Sequence, residues 1–126
     1  MQVELRKLQT KHVFTLQQII TKDIADSAYL EWPCNKQVAN KFISNYNTWG
    51  IWVNKGILVG AVEVKDDLET AYFVAERWQG KGIATAAINA CQSHFGTQQL
   101  WCYINPNNQA SLRVARKANL RVQFYK

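Results

Sequence analysis

The stretch Arg77-Trp78-Gln79-Gly80-Lys81-Gly82-Ile83-Ala84 lies between two hydrophobic patterns of different period. Upstream, LETAYFVA (residues 68–75) is a short apolar and aromatic run of strand length. Downstream, IATAAINACQSHF (residues 83–95) puts Ala84, Ala87, Ile88, Cys91 and Phe95 on one face of a helix. The octet is therefore a strand-to-helix turn. Gly80 and Gly82 let its backbone approach a ligand closely. The first N–H groups of the helix have no internal partner and point into the turn, and the helix dipole adds partial positive charge there. Arg77 and Lys81 add two full charges. Such a turn is a cradle for phosphate.

Two common phosphate ligands are excluded by what surrounds the turn. A Walker loop requires Gly-Lys-Ser/Thr after a four-residue gap, and none is present. A dinucleotide fingerprint requires Gly or Ala where Thr85 stands, and an acid ~20 residues later. No acid follows Glu76 anywhere in the chain.

Outward from the turn, the chain reads as an alternation of short elements. Residues 3–9 form a first strand. Residues 12–23 and 36–46 have helical spacing, separated by a loop over residues 26–34 that Pro33 marks. Strands follow at 50–54, 57–64 and 68–75, with a turn at Asn54-Lys55-Gly56. After the helix at 83–95 come a strand at 100–105, a helix at 107–119 and a strand at 120–126. Asn107 or Asn108 can cap that last helix, and Asn119 can take the left-handed position at its end. The expected order is βααβββαβαβ, an α/β (α+β) chain whose mixed, largely antiparallel sheet is flanked by helices.

Composition agrees with one compact unit. The 126 residues suit a single domain, and 48% of them are apolar, enough for a core. No signal peptide and no apolar run of membrane-spanning length is present, so a soluble, cytoplasmic protein without a membrane partner is expected. Cys34, Cys91 and Cys102 fit no metal spacing and read as reduced thiols in the interior. His12 and His94 have no partner cluster, which argues against a metal site and against histidine triads. Residues 1–76 carry eight Lys/Arg and nine Asp/Glu. Residues 77–126 carry seven Lys/Arg and no acid, so the whole net charge of +6 lies in the C-terminal part. One-sign regions attract anions, either a phosphorylated small molecule or a nucleic acid.

The turn resembles the Arg/Gln-x-x-Gly-x-Gly/Ala motif of the GCN5-related N-acetyltransferases, the GNAT superfamily. Further on, YINPNNQASLRVARKANL resembles that family's Asn-x-x-Ser followed by a basic helix, through Asn108, Ser111, Lys117 and Leu120. LETAYFVAERWQGKG is similar to the strand and turn of one branch, the ribosomal-protein N-terminal acetyltransferases and their relatives. ELRKL near the start and LEWP at residues 30–33 resemble the same branch, so the likeness runs nearly end to end.

The resemblance implies a GNAT fold, a single acetyltransferase domain over residues 1–126, and acetyl-CoA as co-substrate with no metal. It implies that Arg77, Gln79, Gly80, Lys81, Gly82, Ile83 and Ala84 hold the pyrophosphate. It places the pantetheine arm along Phe73, Val74 and Ala75, with the N–H near Val74 facing the thioester oxygen. Asn108 would bond the arm, and Lys117, with Arg113 and Arg116, would meet the 3′-phosphate and adenine. Glu69 occupies the family's glutamate position and is the candidate general base. Glu63 is its rival, and Glu76 lies too near the phosphate turn. Tyr29 and Trp32 fall in the segment that lines the acceptor site, and the acceptor is a small-molecule amine or a protein N-terminus.

Three departures stand out. The family's tyrosine, seven residues after the motif asparagine and the usual general acid, is Ala115 here. Ser111 is the expected substitute at the leaving thiolate, with Tyr72 and Tyr103 open. The family's Gly-Phe is Asn119-Leu120. The residues after the last strand are too few for the further strand the family usually pairs there, so a shortened C-terminus and a homodimer through the open edge are expected. Two alternatives accompany the enzyme reading. One is a GNAT-like protein that binds acyl-CoA without turnover. The other is a basic nucleic-acid-binding module, disfavoured because its cations coincide with the phosphate turn and no recognition motif accompanies them.

Overall fold

A computed structural model describes residues 1–45 and 47–124. Strand β1 (Val3–Lys7) leads through a 3₁₀ turn into helices α1 (Val13–Ile19), α2 (Lys22–Ala28) and α3 (Lys36–Ser44). Strands β2 (Thr48–Val53), β3 (Ile57–Val64) and β4 (Thr70–Val74) follow as hairpins. A second 3₁₀ turn, Glu76–Trp78, leads to α4 (Ile83–Phe95), then β5 (Trp101–Ile104), α5 (Gln109–Lys117) and β6 (Arg121–Phe124).

The N-terminal helical segment differs from the expected single helix over residues 12–23. Ile20 leaves the helix with ψ 98°, and Thr21 starts a new one by accepting a hydrogen bond from the Ile24 N–H at 3.2 Å. A side-chain cap competes well with continuing the helix where the next residues can start another turn. The loop expected from residue 26 therefore begins only after Ala28, where Tyr29 takes a left-handed conformation at φ 57°. The strand expected over residues 120–126 is seen over Arg121–Phe124, and its last two residues, like Tyr46 of the expected helix 36–46, lie outside the described residues.

Strands β1, β2, β3 and β4 pair antiparallel in that spatial order, and β5 pairs parallel with β6 across the α5 connection. The sheet is covered on both faces. On one side Phe73, Ala61 and Trp52 pack with Leu16, Ile24, Ala39 and Ile43 of α1–α3. On the other, Val62, Val64 and Val74 pack with Ile83, Ile88 and Cys91 of α4, and with Cys102 and Ala115. Burial on both faces explains why β3 reads as an almost unbroken apolar run. Trp52 is buried and Trp49 is packed against the α4 side, so both serve the core. Among the described residues, no helix is long and apolar enough to cross a membrane.

Candidate active site

The two sheets meet at one point. Glu69 and Trp101 form a lone parallel bridge, and the Trp101 N–H donates to the Leu68 carbonyl at 3.2 Å. Beyond it β4 and β5 are no longer paired, although they leave that point in the same direction. Their separation opens a cleft of about 830 Å³, walled by β4, β5, α2, α5 and the start of α4. That volume is within the range of sites that enclose a small molecule.

The edge that β4 offers to this cleft follows from its register. The Ala75 N–H donates to the Val59 carbonyl at 2.7 Å, and the Lys65 N–H to the Glu69 carbonyl at 2.9 Å. Pairing alternates along an antiparallel strand, so Glu69, Ala71, Phe73 and Ala75 direct their backbone groups at β3. Thr70, Tyr72 and Val74 direct theirs into the opening. An extended ligand arm with amide groups can pair with that free edge as a strand would.

One end of the cleft is the glycine turn. Gly80 and Gly82 have φ of 77° and 81°, and a Cβ at either would meet open space. Gly82 is the N-cap of α4 and supplies no side chain to satisfy the helix N–H groups. Ile83, Ala84 and Thr85, whose N–H groups lead the helix, line the cleft. Gln79 ties the turn back to the strand, its amide donating to the Val74 carbonyl at 2.9 Å. Arg113 and Lys117 of α5 line the same cleft, and α5 carries no acid. Open glycine backbone, unsatisfied N–H groups and two cations form a donor set that fits a phosphate-bearing coenzyme such as acetyl-CoA.

Near the strand junction sits Glu69. Its carboxylate is partly buried and lies 3.6 Å from the Lys65 ammonium. Its rival Glu63 is absent from the cleft lining; its carboxylate instead accepts a hydrogen bond from the Asn45 amide. Glu76 lines the cleft and accepts the Thr21 hydroxyl at 2.8 Å, which joins the capping residue of α2 to the turn. Asn108 caps α5 by accepting the Ser111 N–H at 3.1 Å. This bond uses only the serine backbone, and both residues line the cleft.

The structure thus gathers Glu69, Ser111, Phe73, Val74, Gln79, Gly80, Gly82, Ile83, Ala84, Asn108, Lys117 and Tyr29 around one opening. Ala75, Arg77, Lys81 and Trp32 are not among its lining residues. Ala75 spends its N–H on β3. Arg77 sits mid-way along the 3₁₀ turn and Lys81 at the turn apex between two left-handed glycines, both exposed. Trp32 lies beyond the end of α2, 45% exposed.

Sequence reasoning did not single out Asp23, Ser27, Thr70 and Thr85, which line the cleft. Their helix or strand positions carry no motif. Ala115 is fully buried in the core beneath α5. The face that α5 turns to the cleft carries Ala110, Ser111, Arg113, Val114 and Lys117. Cys102 lines the cleft, but burial, reinforced by the Glu69 charge, pushes its thiol up to about 11. The neutral thiol that results is a poor nucleophile.

Comparison with solved structures finds the same architecture. The microcin C7 self-immunity acetyltransferase MccE, in complex with acetyl-CoA and AMP, superposes with a TM-score of 0.70 at 20% identity, over 92% of this chain and 77% of that one. The PaiA N-acetyltransferase from Thermoplasma acidophilum, in complex with coenzyme A, gives 0.63 at 15% identity, over 93% and 88%. A ribosomal-protein-alanine N-acetyltransferase from Brucella melitensis biovar Abortus 2308 gives 0.57 at 15% identity, over 100% and 82%. A comparison with curated proteins finds no match. A sequence model of the acetyltransferase (GNAT) domain matches residues 2–121, and with the split sheet and the glycine turn in place the chain belongs to the GNAT acetyltransferases.

Proposed function

We propose that the protein is an acetyl-CoA-dependent N-acetyltransferase that passes the acetyl group to a primary amine by direct attack, with Glu69 as general base. The observation that carries this reading is the parting of β4 from β5, which exposes the polar edge of β4 between a phosphate-type turn and a carboxylate. The acetyl-CoA complex of MccE and the coenzyme A complex of PaiA, two proteins of this fold, support the choice of coenzyme. In this reading residues 1–126 form one acetyltransferase domain.

The pyrophosphate rests on the N–H groups of Ile83 and Ala84 and on the turn between Gly80 and Gly82. Lys117 and Arg113 meet the remaining phosphate. The pantetheine arm runs along the exposed edge of β4, held from the other wall by Asn108. The Val74 N–H faces the thioester oxygen and stabilises the charge that grows there. Only a neutral amine attacks, so the incoming ammonium gives a proton to Glu69, directly or through one water. Lys65 beside Glu69 marks where a cationic acceptor would bind, and displacing it exchanges one cation for another. Tyr29, 60% exposed at the cleft mouth, forms an aromatic wall for the amine. Ser111 on the opposite wall faces the leaving sulfur.

The test is a thiol-release screen with acetyl-CoA across amine classes, including peptide N-termini and polyamines, with Glu69→Gln run beside wild type. Turnover with at least one class is expected, and the variant should lose about a hundredfold or more in kcat. An equally fast variant removes Glu69 as base. Saturable coenzyme A binding with no turnover on any amine favours the silent acyl-CoA binder, and salt-sensitive DNA retention without coenzyme A binding favours the nucleic-acid module. The homodimer belongs to the same reading. Among the described residues β6 pairs only with β5, and equilibrium sedimentation showing monomer alone discards edge pairing.

A further inference from the structure

Tyr72 lies in the middle of β4, packed against the core on the α4 and α5 side, and it also lines the cleft. Its phenolic oxygen is buried and makes no hydrogen bond. Only one other buried side-chain polar atom among the described residues, the Thr48 hydroxyl, is left without a partner. A phenylalanine would fill the same space without stranding a hydroxyl, so packing does not account for a tyrosine here. Burial raises the phenol above the usual tyrosine range, while Ser111 opposes that rise and Cys102 adds to it. The phenol is therefore a donor throughout the neutral range. Ser111 lies near enough that hydrogen bonding between the two side chains opposes that rise, yet as they stand the two hydroxyls fall outside good hydrogen-bonding geometry.

Ser111 carries the only hydroxyl on α5, and it lines the cleft. Ala115 points into the core and offers nothing to the reaction. A serine hydroxyl rotates freely about its Cβ, so by itself it is a weakly oriented donor. A second hydroxyl behind it that donates to its oxygen fixes its direction and strengthens the bond it makes in turn.

We infer that Tyr72 positions Ser111 as the hydrogen-bond donor to the departing coenzyme A thiolate, with the Tyr72 hydroxyl donating to Ser111 Oγ and the Ser111 hydroxyl donating to sulfur. This rests on the acetyl-transfer reading above. The chemistry balances without another reagent. A nitrogen–carbon bond forms, the carbon–sulfur bond breaks, and its electron pair goes to sulfur. The proton that sulfur takes up is equivalent to the one the amine gives to Glu69 and the solvent. Tyr72 and Ser111 supply the oriented hydrogen bond that holds the thiolate until then. Tyr72 is a positioning residue, and Ser111 is the group that touches the sulfur.

Tyr72→Phe, Ser111→Ala and the double variant test this in two arms. In steady-state acetylation, each single variant should lose about tenfold to a hundredfold in kcat with the acetyl-CoA KM unchanged. The double variant should be no slower than Ser111→Ala, because the two residues act as one unit. Tyr72→Phe should melt at or above the wild-type temperature, which separates lost positioning from lost folding. In the second arm, calorimetric titration at alkaline pH compares coenzyme A with desulfo-coenzyme A. Wild type should prefer the sulfur-bearing ligand, and Tyr72→Phe should lose about tenfold of that preference. Undiminished kcat, additive losses or an unchanged preference overturns the inference and leaves Glu69 untouched. A wild type that binds neither coenzyme overturns the acetyl-transfer reading itself, and this inference with it.

Discussion

Lys65 and Glu69 show how one contact can serve the site without adding much to stability. Their 3.6 Å pairing is half-exposed on the lysine side, and such pairs contribute little to folding. If the lysine occupies the place of the acceptor's ammonium, Lys65→Met lowers the acceptor KM by about two- to fivefold and leaves kcat unchanged in steady-state assays. A raised KM would place the acceptor elsewhere. Cys91 and Cys102 set a pH limit of a different kind. Burial pushes both thiols from 9.0 up to about 11. The unfolded chain thus releases these protons first as pH rises, and the folded state binds more protons in that interval. Stability attributable to them is intact below pH 9 and declines between about 9 and 11. Calorimetric melting temperatures should fall across that window and be flatter in a Cys91→Ala, Cys102→Ala double variant.

Among the elements, the strand–turn–helix was the most legible. Its change of hydrophobic period and its two glycines were visible in the sequence, and both glycines have positive φ in the structure. Gly82→Ala puts a side chain at φ 81° in space that is otherwise open. It should destabilise the fold by about 1–2 kcal/mol in urea titration and weaken coenzyme A binding by about tenfold or more. Coenzyme A affinity equal to wild type would mean that the turn holds no phosphate. The break between α1 and α2 was less legible. Leu16, Ile19, Ile20 and Ile24 keep one helical stripe through it, and all four are buried in one cluster. Periodicity does not register a cap, and Thr21 earns its place through a hydrogen bond to Glu76, 55 residues away.

Across the whole molecule, the excess of cations after Glu76 meets the cleft at Arg113 and Lys117, while Asp23, Glu69 and Glu76 line it elsewhere. A polyanionic coenzyme bound by exposed cations loses affinity as salt screens them. Coenzyme A binding measured from low to about 0.5 M salt should weaken by about tenfold, and dephospho-coenzyme A, which lacks the 3′-phosphate, should weaken less. Equal slopes for the two ligands would remove Lys117 and Arg113 from the 3′-phosphate.

By itself the sequence determined the order of the strands and of the elements after β2, the glycine turn, the nearly unbroken apolar run of β3 and the family. These depend on local spacing, glycine chemistry and near-neighbour patterns, which one chain displays directly. Tertiary structure alone decided that β4 and β5 touch only at Glu69 and Trp101, and so where the cleft opens. It turned Glu63, the rival base, toward Asn45 and kept Glu69, the preferred one, in the cleft, a difference that strand position alone does not carry. It left Arg77 and Lys81 at the surface and turned Ala115 inward. It also left the Tyr72 hydroxyl without a partner beside Ser111, on an element 39 residues further on. The direction of a side chain and the pairing of distant strands depend on register and packing between remote segments, and no local pattern carries them.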